Sequence, residues 1–300
     1  MKHREPRFEL GGATDREVVG EPRAIAWRKH LSARQFAARN LWLYDHPYGC
    51  SRIETFLLRE PESGEILTSM DVLKLPLLAR GKKRDGFLIA SVVTPAHLRG
   101  RGLASRMLGA YFDLHPESSG ILHSDIGPDF YARFGFVARP VTMVSEPVRD
   151  LSAPASEGEP ISLETFCDEL ERHRRNLEGA AVCPDSGFLD WQVHKYRFYA
   201  REAGRDLSEP LFRRFEHQGA IHWLVTLPDP LTSRLDLFWK AEECTDCLAS
   251  AARLAKTWGL TQLRYWTRNP VPGGSPECPM VRVGGEKAAR FEDPQLMDWW

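Results

Sequence analysis

The residues best placed to do chemistry lie between Val92 and Ser105, in the stretch VVTPAHLRGRGLAS. The apolar run FLIASVVT (Phe87 to Thr94) reads as a buried strand. After a turn, Leu103, Met107, Tyr111 and Leu114 recur on one helical face. The first turn of such a helix exposes unpaired N–H groups at the positive end of its macrodipole, where phosphates bind through backbone alone. Gly100 and Gly102 let that backbone approach a ligand closely. Ala104 is small, and Arg99 and Arg101 add positive charge. The pattern is not GxGxxG and lacks the lysine of a P-loop, so dinucleotide and nucleoside-triphosphate readings are weaker.

Other chemistry-bearing residues flank this loop. Tyr131 lies in Phe130-Tyr131-Ala132-Arg133-Phe134-Gly135-Phe136, about thirty residues beyond Gly102. Taken alone, a tyrosine there reads as a packed helix aromatic. Asp71, on a strand bordering the loop, is a candidate base or ammonium anchor, or a strand residue facing water. Asp125 is a candidate for the same chemistry or for helix capping. His97 and His123 read chiefly as loop or packing histidines, and Arg34 and Arg39 as a solvated helix face or as ligands for a substrate carboxylate. Trp223, Trp239, Tyr265 and Trp266 read as core, with one or two free to line a cleft. Only Cys244 and Cys247 have metal-like spacing, and no second pair completes a tetrahedral site. They read instead as the start of a buried helix face with Leu248, Ala251, Leu254 and Trp258, so no metal is expected.

The elements that must position these residues follow from pattern. Ser32 and Gln35 form a capping box ahead of a helix with Ala37, Leu41 and Tyr44 at helical spacing. Arg52 to Arg59 and Ile66 to Leu73 read as strands joined by a turn at Pro61 to Gly64. Gly120 to Asp125 reads as a strand, and Pro128 to Phe134 as a short helix ended by Gly135. The polar stretch DLSAPASEGEP (Asp150 to Pro160) suits a linker. It divides the chain into an expected domain over 1–150 and a smaller α+β domain over 161–300. In the latter, Ala220 to Leu227, Leu235 to Lys240, a helix to Trp258 and Gln262 to Thr267 echo the strand, strand, helix, strand order of the first half.

Bulk properties set the bounds. Three hundred residues favour two domains. Forty basic residues nearly cancel forty-one acidic ones, so charge makes no case for nucleic acid or membrane as a partner. No apolar run reaches membrane-spanning length, and the start MKHREPRFELGG is unlike a secretory signal. A cytoplasmic protein is expected.

Arg99, Gly102 and Ala104 fill the places of the Gcn5-related N-acetyltransferase signature, Q or R, two residues, G, one residue, G or A. The Phe130 to Phe136 segment resembles the FYxxxGF element of the same family. This resemblance implies an α/β (α+β) fold with a mixed, mostly antiparallel sheet flanked by helices, and acetyl-CoA as cosubstrate. It implies that the backbone of Val92, Val93 and Thr94 pairs with pantetheine. It also implies that the amides of Arg99, Gly100, Arg101, Gly102, Leu103, Ala104 and Ser105 hold the pyrophosphate, and that Tyr131 protonates the departing thiolate. Ile89-Ala90-Ser91-Val92, Leu103 to Met107 and Ser124 to Tyr131 further resemble the fungal lysine N6-acetyltransferases. That likeness implies a small-molecule amine acceptor, L-lysine or a related amino acid, acetylated by direct transfer in a ternary complex. A protein lysine or N-terminus as acceptor, and a non-catalytic acyl-CoA-binding scaffold, are the alternatives.

Overall fold

A computed structural model describes residues 5–149, 157–176, 178–207, 211–217, 219–240 and 245–284. Most of the stretch read as a linker lies outside these residues, as do Cys244 and Trp300.

In the first half the described elements are strand β1 (Arg7–Leu10), helices α1 (Ala13–Val18), α2 (Gly20–Trp27), α3 (Ala33–Asp45) and α4 (Pro47–Arg52), then β2 (Ile53–Arg59), β3 (Ile66–Ala79), β4 (Lys82–Val93), α5 (Leu103–Leu114), β5 (Ser119–His123), α6 (Asp129–Ala132), β6 (Val137–Ala138) and β7 (Val141–Pro147). There follow β8 (Glu159–Pro160), α7 (Leu163–Arg174), β9 (Ala180–Val182), α8 (Ser186–Glu202), β10 (Phe212–His217), β11 (Ala220–Asp229), β12 (Arg234–Lys240), α9 (Thr245–Thr257), β13 (Gln262–Thr267), β14 (Ser275–Glu277) and β15 (Pro279–Arg282).

Two mixed sheets result. One runs β1-β2-β3-β4-β5-β15-β6, with β9 also on β3, and the other runs β14-β7-β13-β12-β11-β10-β8. Each has one parallel pair, β4 with β5 and β12 with β13, and is otherwise antiparallel. The crossovers that parallel strands require are α5 and α9. The series β3-β4-α5-β5 thus has the connectivity of β11-β12-α9-β13, the echo expected from the sequence.

The sheets also exchange strands. β15, from the second half, lies between β5 and β6 of the first sheet, pairing Leu122 with Met280 and Val281 with Val137. β7, from the first half, pairs Trp266 with Met143 inside the second sheet. Met280 and Val281 are fully buried, in the two cores on opposite faces of the first sheet.

Three apolar layers hold the assembly. Met107, Leu108 and Tyr111 of α5 pack on Met70, Val72, Phe87 and Ile89. Trp191, Tyr196 and Phe198 of α8 share a core with Leu73, Leu75 and Leu77 of the first sheet and Val225 and Trp239 of the second. Cys247, Ala251 and Leu254 of α9 face Leu235 and Leu263, as their spacing predicted, with Leu248 and Trp258 packed against them. The capping box at Ser32 forms, but α3 buries Phe36, Arg39, Leu43 and Tyr44, leaving Leu41 exposed. Helix α3 also packs on α8, where Trp191 Nε1 donates to the Leu43 carbonyl at 3.0 Å.

Candidate active site

The site begins where two strands part. β4 and β5 pair from Gly86 with Ser119 to Ile89 with Leu122, and the register stops there. Among the described residues, Ala90 to Val93 continue without a strand partner on that side. Two residues of β4 oppose one of β3 at this point, because Ser69 pairs with Val93 and Asp71 with Ala90. The bulge places Ser91 at φ 52°, a conformation costly for a residue with a Cβ and typical of functional sites.

The chain then enters the glycine loop. Gly100 and Gly102 have φ of 78° and 72°, and a Cβ built at either meets nothing within 4 Å. The helix cap at Gly102 has no side-chain acceptor, so among the described residues the first-turn amides of α5 lack a side-chain partner. Arg99 folds back, its Nε donating to the Thr94 carbonyl at 3.1 Å, and Arg101 Nη2 donates to the His97 carbonyl at 3.4 Å. These arginines tie the turn together, and the side of the loop at Gly100 and Gly102 is open.

A cavity of about 600 Å³ opens at the divergence. Ile89 to Val92 form one wall, Ala104 brings the start of α5, and Phe130 and Tyr131 come from α6. The opposite wall belongs to the second sheet: Met143, Ser145, Arg234, Arg264, Trp266 and Glu277. Tyr131 is buried, and that burial, followed by the nearby Asp125 charge, pushes its hydroxyl up to about 12.

Asp125 also lines the cavity and accepts from Trp27 Nε1 at 3.1 Å. His123 Nδ1 lies 3.6 Å from Asp125 Oδ1 and its Nε2 lies 2.6 Å from Glu277 Oε2. The Nε2 contact is a close charge contact without the alignment of a hydrogen bond. The Trp266 ring packs on the imidazole with centroids 5.5 Å apart. Carboxylate, imidazole and carboxylate thus run along one side of the cavity.

Asp71 is not brought here. It is completely buried, accepting from both terminal nitrogens of Arg23 at 2.6 and 3.0 Å, from Tyr44 at 2.9 Å and from Thr55 at 2.7 Å. Strand alternation explains its place. Met70 and Val72 face α5, so Asp71 faces α2 and α3 on the other side of the sheet. Arg39 is likewise buried on Tyr199 and Asn40, Arg34 is exposed, and His97 is exposed beside Glu65 at 3.3 Å. None of the three lines the cavity. Glu277, Arg264, Arg234 and Ser145 do line it and carry no local sequence motif. Trp266 had only its aromatic character to mark it. Among the described residues no cluster of three metal-ligating side chains exists, and no helix is long and apolar enough to cross a membrane.

No protein-family model and no curated protein match the chain. Solved structures do. A protein of unknown function from Enterococcus faecalis V583, a candidate N-acyltransferase, aligns over 94% of this chain and 73% of its own, with TM-score 0.58 and 13% identity. A GCN5-related N-acetyltransferase from Kribbella flavida covers 93% and 72%, with TM-score 0.55 and 16% identity. Another from Anabaena variabilis covers 93% and 73%, with TM-score 0.57 and 11% identity. None of these is a fungal lysine acetyltransferase. Likeness at such low identity is a likeness of fold, and it spans both halves of the chain: this protein has the fold of the GCN5-related N-acetyltransferases.

Proposed function

We propose that the chain transfers an acetyl group from acetyl-CoA to a primary amine of a small molecule, with L-lysine N6 or the amine of a related amino acid as the acceptor. One observation carries this reading. The parted strands, the uncapped start of α5 and Tyr131 meet in a single cavity whose far wall is the second sheet. The open loop at Gly100 and Gly102 fits a pyrophosphate, and the unpaired edge of Ala90 to Val93 fits the amides of pantetheine. A cleft bounded by two sheets favours a small metabolite over a protein lysine as the acceptor.

The chemistry is an exchange of acyl bonds in a ternary complex. The acceptor must first lose a proton, since an alkyl ammonium titrates near ~10. Its proton passes to the His123 imidazole, directly or through water, with Asp125 and Glu277 balancing the imidazolium charge. The nitrogen then attacks the thioester carbonyl, a C–N bond forms, and the C–S bond breaks toward sulfur. Tyr131 donates a hydrogen bond to the developing thiolate. With its hydroxyl held near 12, it acts mainly by that hydrogen bond, and transfers its proton only to a thiolate as poorly solvated as itself.

The test is acetyl-CoA turnover against a panel of amino acids, diamines, amino sugars and peptides, read by thiol release and by product mass. Acetylated product from a free amino acid, with none from the peptides, is the expected result. Binding of acetyl-CoA with no product from any amine would leave a scaffold instead.

A further inference from the structure

The wall built by the second sheet has its own charge order. β14, β7, β13 and β12 lie side by side. Ser275 pairs with Met143, Met143 with Trp266, Ser145 with Arg264, and Arg264 with Asp236. Residues directly opposite share a face, and so do residues two apart on one strand. Glu277, Met143, Ser145, Trp266, Arg264 and Arg234 therefore stand on one face, and all six line the cavity.

The two signs of charge occupy different corners of that face. Glu277 stands with His123 and Asp125. Arg264 is two strands away, about 10 Å, and its partner Ser145 is four residues along β7 from Val141, the partner of Glu277, about 13 Å. The Cα atoms are thus about 16 Å apart on the diagonal. Long side chains reaching inward from both corners narrow this to the length of a short aliphatic chain.

The basic corner is held rigid. Asp236 accepts from Arg264 Nε at 2.8 Å and Nη2 at 2.5 Å, from Arg234 Nε at 2.7 Å and from the Tyr196 hydroxyl at 2.6 Å. Arg234 Nη2 also donates to Asp229 at 3.2 Å, and Lys29 joins the cavity lining. Guanidiniums fixed this way bind a planar anion with little ordering cost. Between the corners lies Trp266, only 7% exposed, whose buried indole Nε1 has no acceptor among the described residues. A buried donor left unpaired is costly, and a bound oxygen would satisfy it.

We infer that the acceptor carries a carboxylate several bonds from its reactive amine, and that Arg264, supported by Arg234 and Trp266, recognises it. This rests on the acetyl-transfer reading and sharpens it. An α-amine beside its own carboxylate does not span the two corners, and a diamine presents a cation to the arginines.

The experiment titrates four compounds into the full chain saturated with CoA: L-lysine, 6-aminohexanoate, cadaverine and glycine. Turnover of each is measured in parallel with acetyl-CoA. L-Lysine and 6-aminohexanoate are expected to bind at least about tenfold more tightly than cadaverine or glycine. Arg264→Lys and Trp266→Phe are expected to weaken apparent affinity in turnover more for the carboxylate-bearing amines than for cadaverine, with acetyl-CoA binding as the control for folding. The comparison of compounds on the wild-type protein needs no variant. Cadaverine bound and acetylated as well as 6-aminohexanoate would overturn the inference and leave acetyl transfer standing. Selective binding of the two carboxylates without turnover of any amine would support the anion site and sink the acetyl-transfer reading.

Discussion

His123 Nε2 lies 2.6 Å from Glu277 Oε2, and the two residues belong to different sheets. The contact joins the end of β5 to the end of β14 at one side of the cavity. If this pair moves the acceptor proton, Glu277→Gln should lower kcat by about tenfold or more while acetyl-CoA affinity changes little. Steady-state rates beside calorimetry decide it. An unchanged kcat would remove Glu277 from the proton path.

Tyr131 gives a separate kinetic signature. Its hydroxyl, held near 12, stays protonated where an ordinary tyrosine titrates, near ~10. The wild-type kcat profile should therefore show no alkaline fall from this group as pH passes ~10. Tyr131→Phe should lower kcat by about a hundredfold with acetyl-CoA affinity preserved. A rate within about twofold of wild type would exclude the role.

The same burial acts on stability. Desolvation raises Tyr44, Tyr48, Tyr111 and Tyr265 as well as Tyr131. In the unfolded chain these phenols ionise near 10, whereas in the fold they stay protonated to about 12 or beyond. The unfolded state binds fewer protons in that window, so stability is intact below about pH 10 and falls above it. Melting temperatures measured from about pH 8 to 11 should be level and then drop. A flat curve would contradict the burial.

Ala104→Glu separates the phosphate cradle from the fold. A carboxylate in the first turn suits the helix dipole and should leave the melting temperature unchanged or slightly higher. The same charge repels a pyrophosphate on those amides. Acetyl-CoA affinity should fall by about tenfold or more, read by calorimetry. Unchanged affinity would move the cofactor elsewhere.

Asp71 tests the opposite face of the same sheet. Its charge balances the buried Arg23 guanidinium, whose pKa is held up by that carboxylate against the pull of burial. Asp71→Asn leaves Arg23 buried without an anion and should cost about 3–5 kcal/mol in urea unfolding. A stability near wild type, with kcat collapsed, would instead make Asp71 part of the chemistry.

The residues legible in the sequence were those whose role is fixed locally. The loop at Arg99 to Ala104 and the segment Phe130 to Phe136 are each a run of consecutive residues, so the turn and the short helix they form can be read without knowing any distant partner. Asp71 was readable as important, but its face was not, because its partners Arg23, Tyr44 and Thr55 come from three other elements. Alternation with apolar Met70 and Val72 was the available clue. Glu277 and Arg264 were invisible for a different reason. Arg264 owes its position to β13 pairing with β7 and Glu277 to β14 pairing with β7, each across more than a hundred residues, and β14 is only three residues long. No periodicity survives in so short a strand. The long helix α8 leaves little trace in the pattern because it is buried nearly all round and shows only a faint amphipathic stripe.

The exchange of β7 and β15 also bears on how the chain reaches its native state. Helix α5 and the β3–β4 hairpin can form soon after synthesis, since their contacts are local. The free edge of β5 must wait for its neighbour, because Ile121 pairs with Val281, about 160 residues later. Until that strand leaves the ribosome, Gly120 to His123 present an unpaired apolar edge to anything nearby. Loop closure over such a span is slow, so the rate-limiting search should be for this pairing, and the cavity between the two sheets is assembled in the same late event.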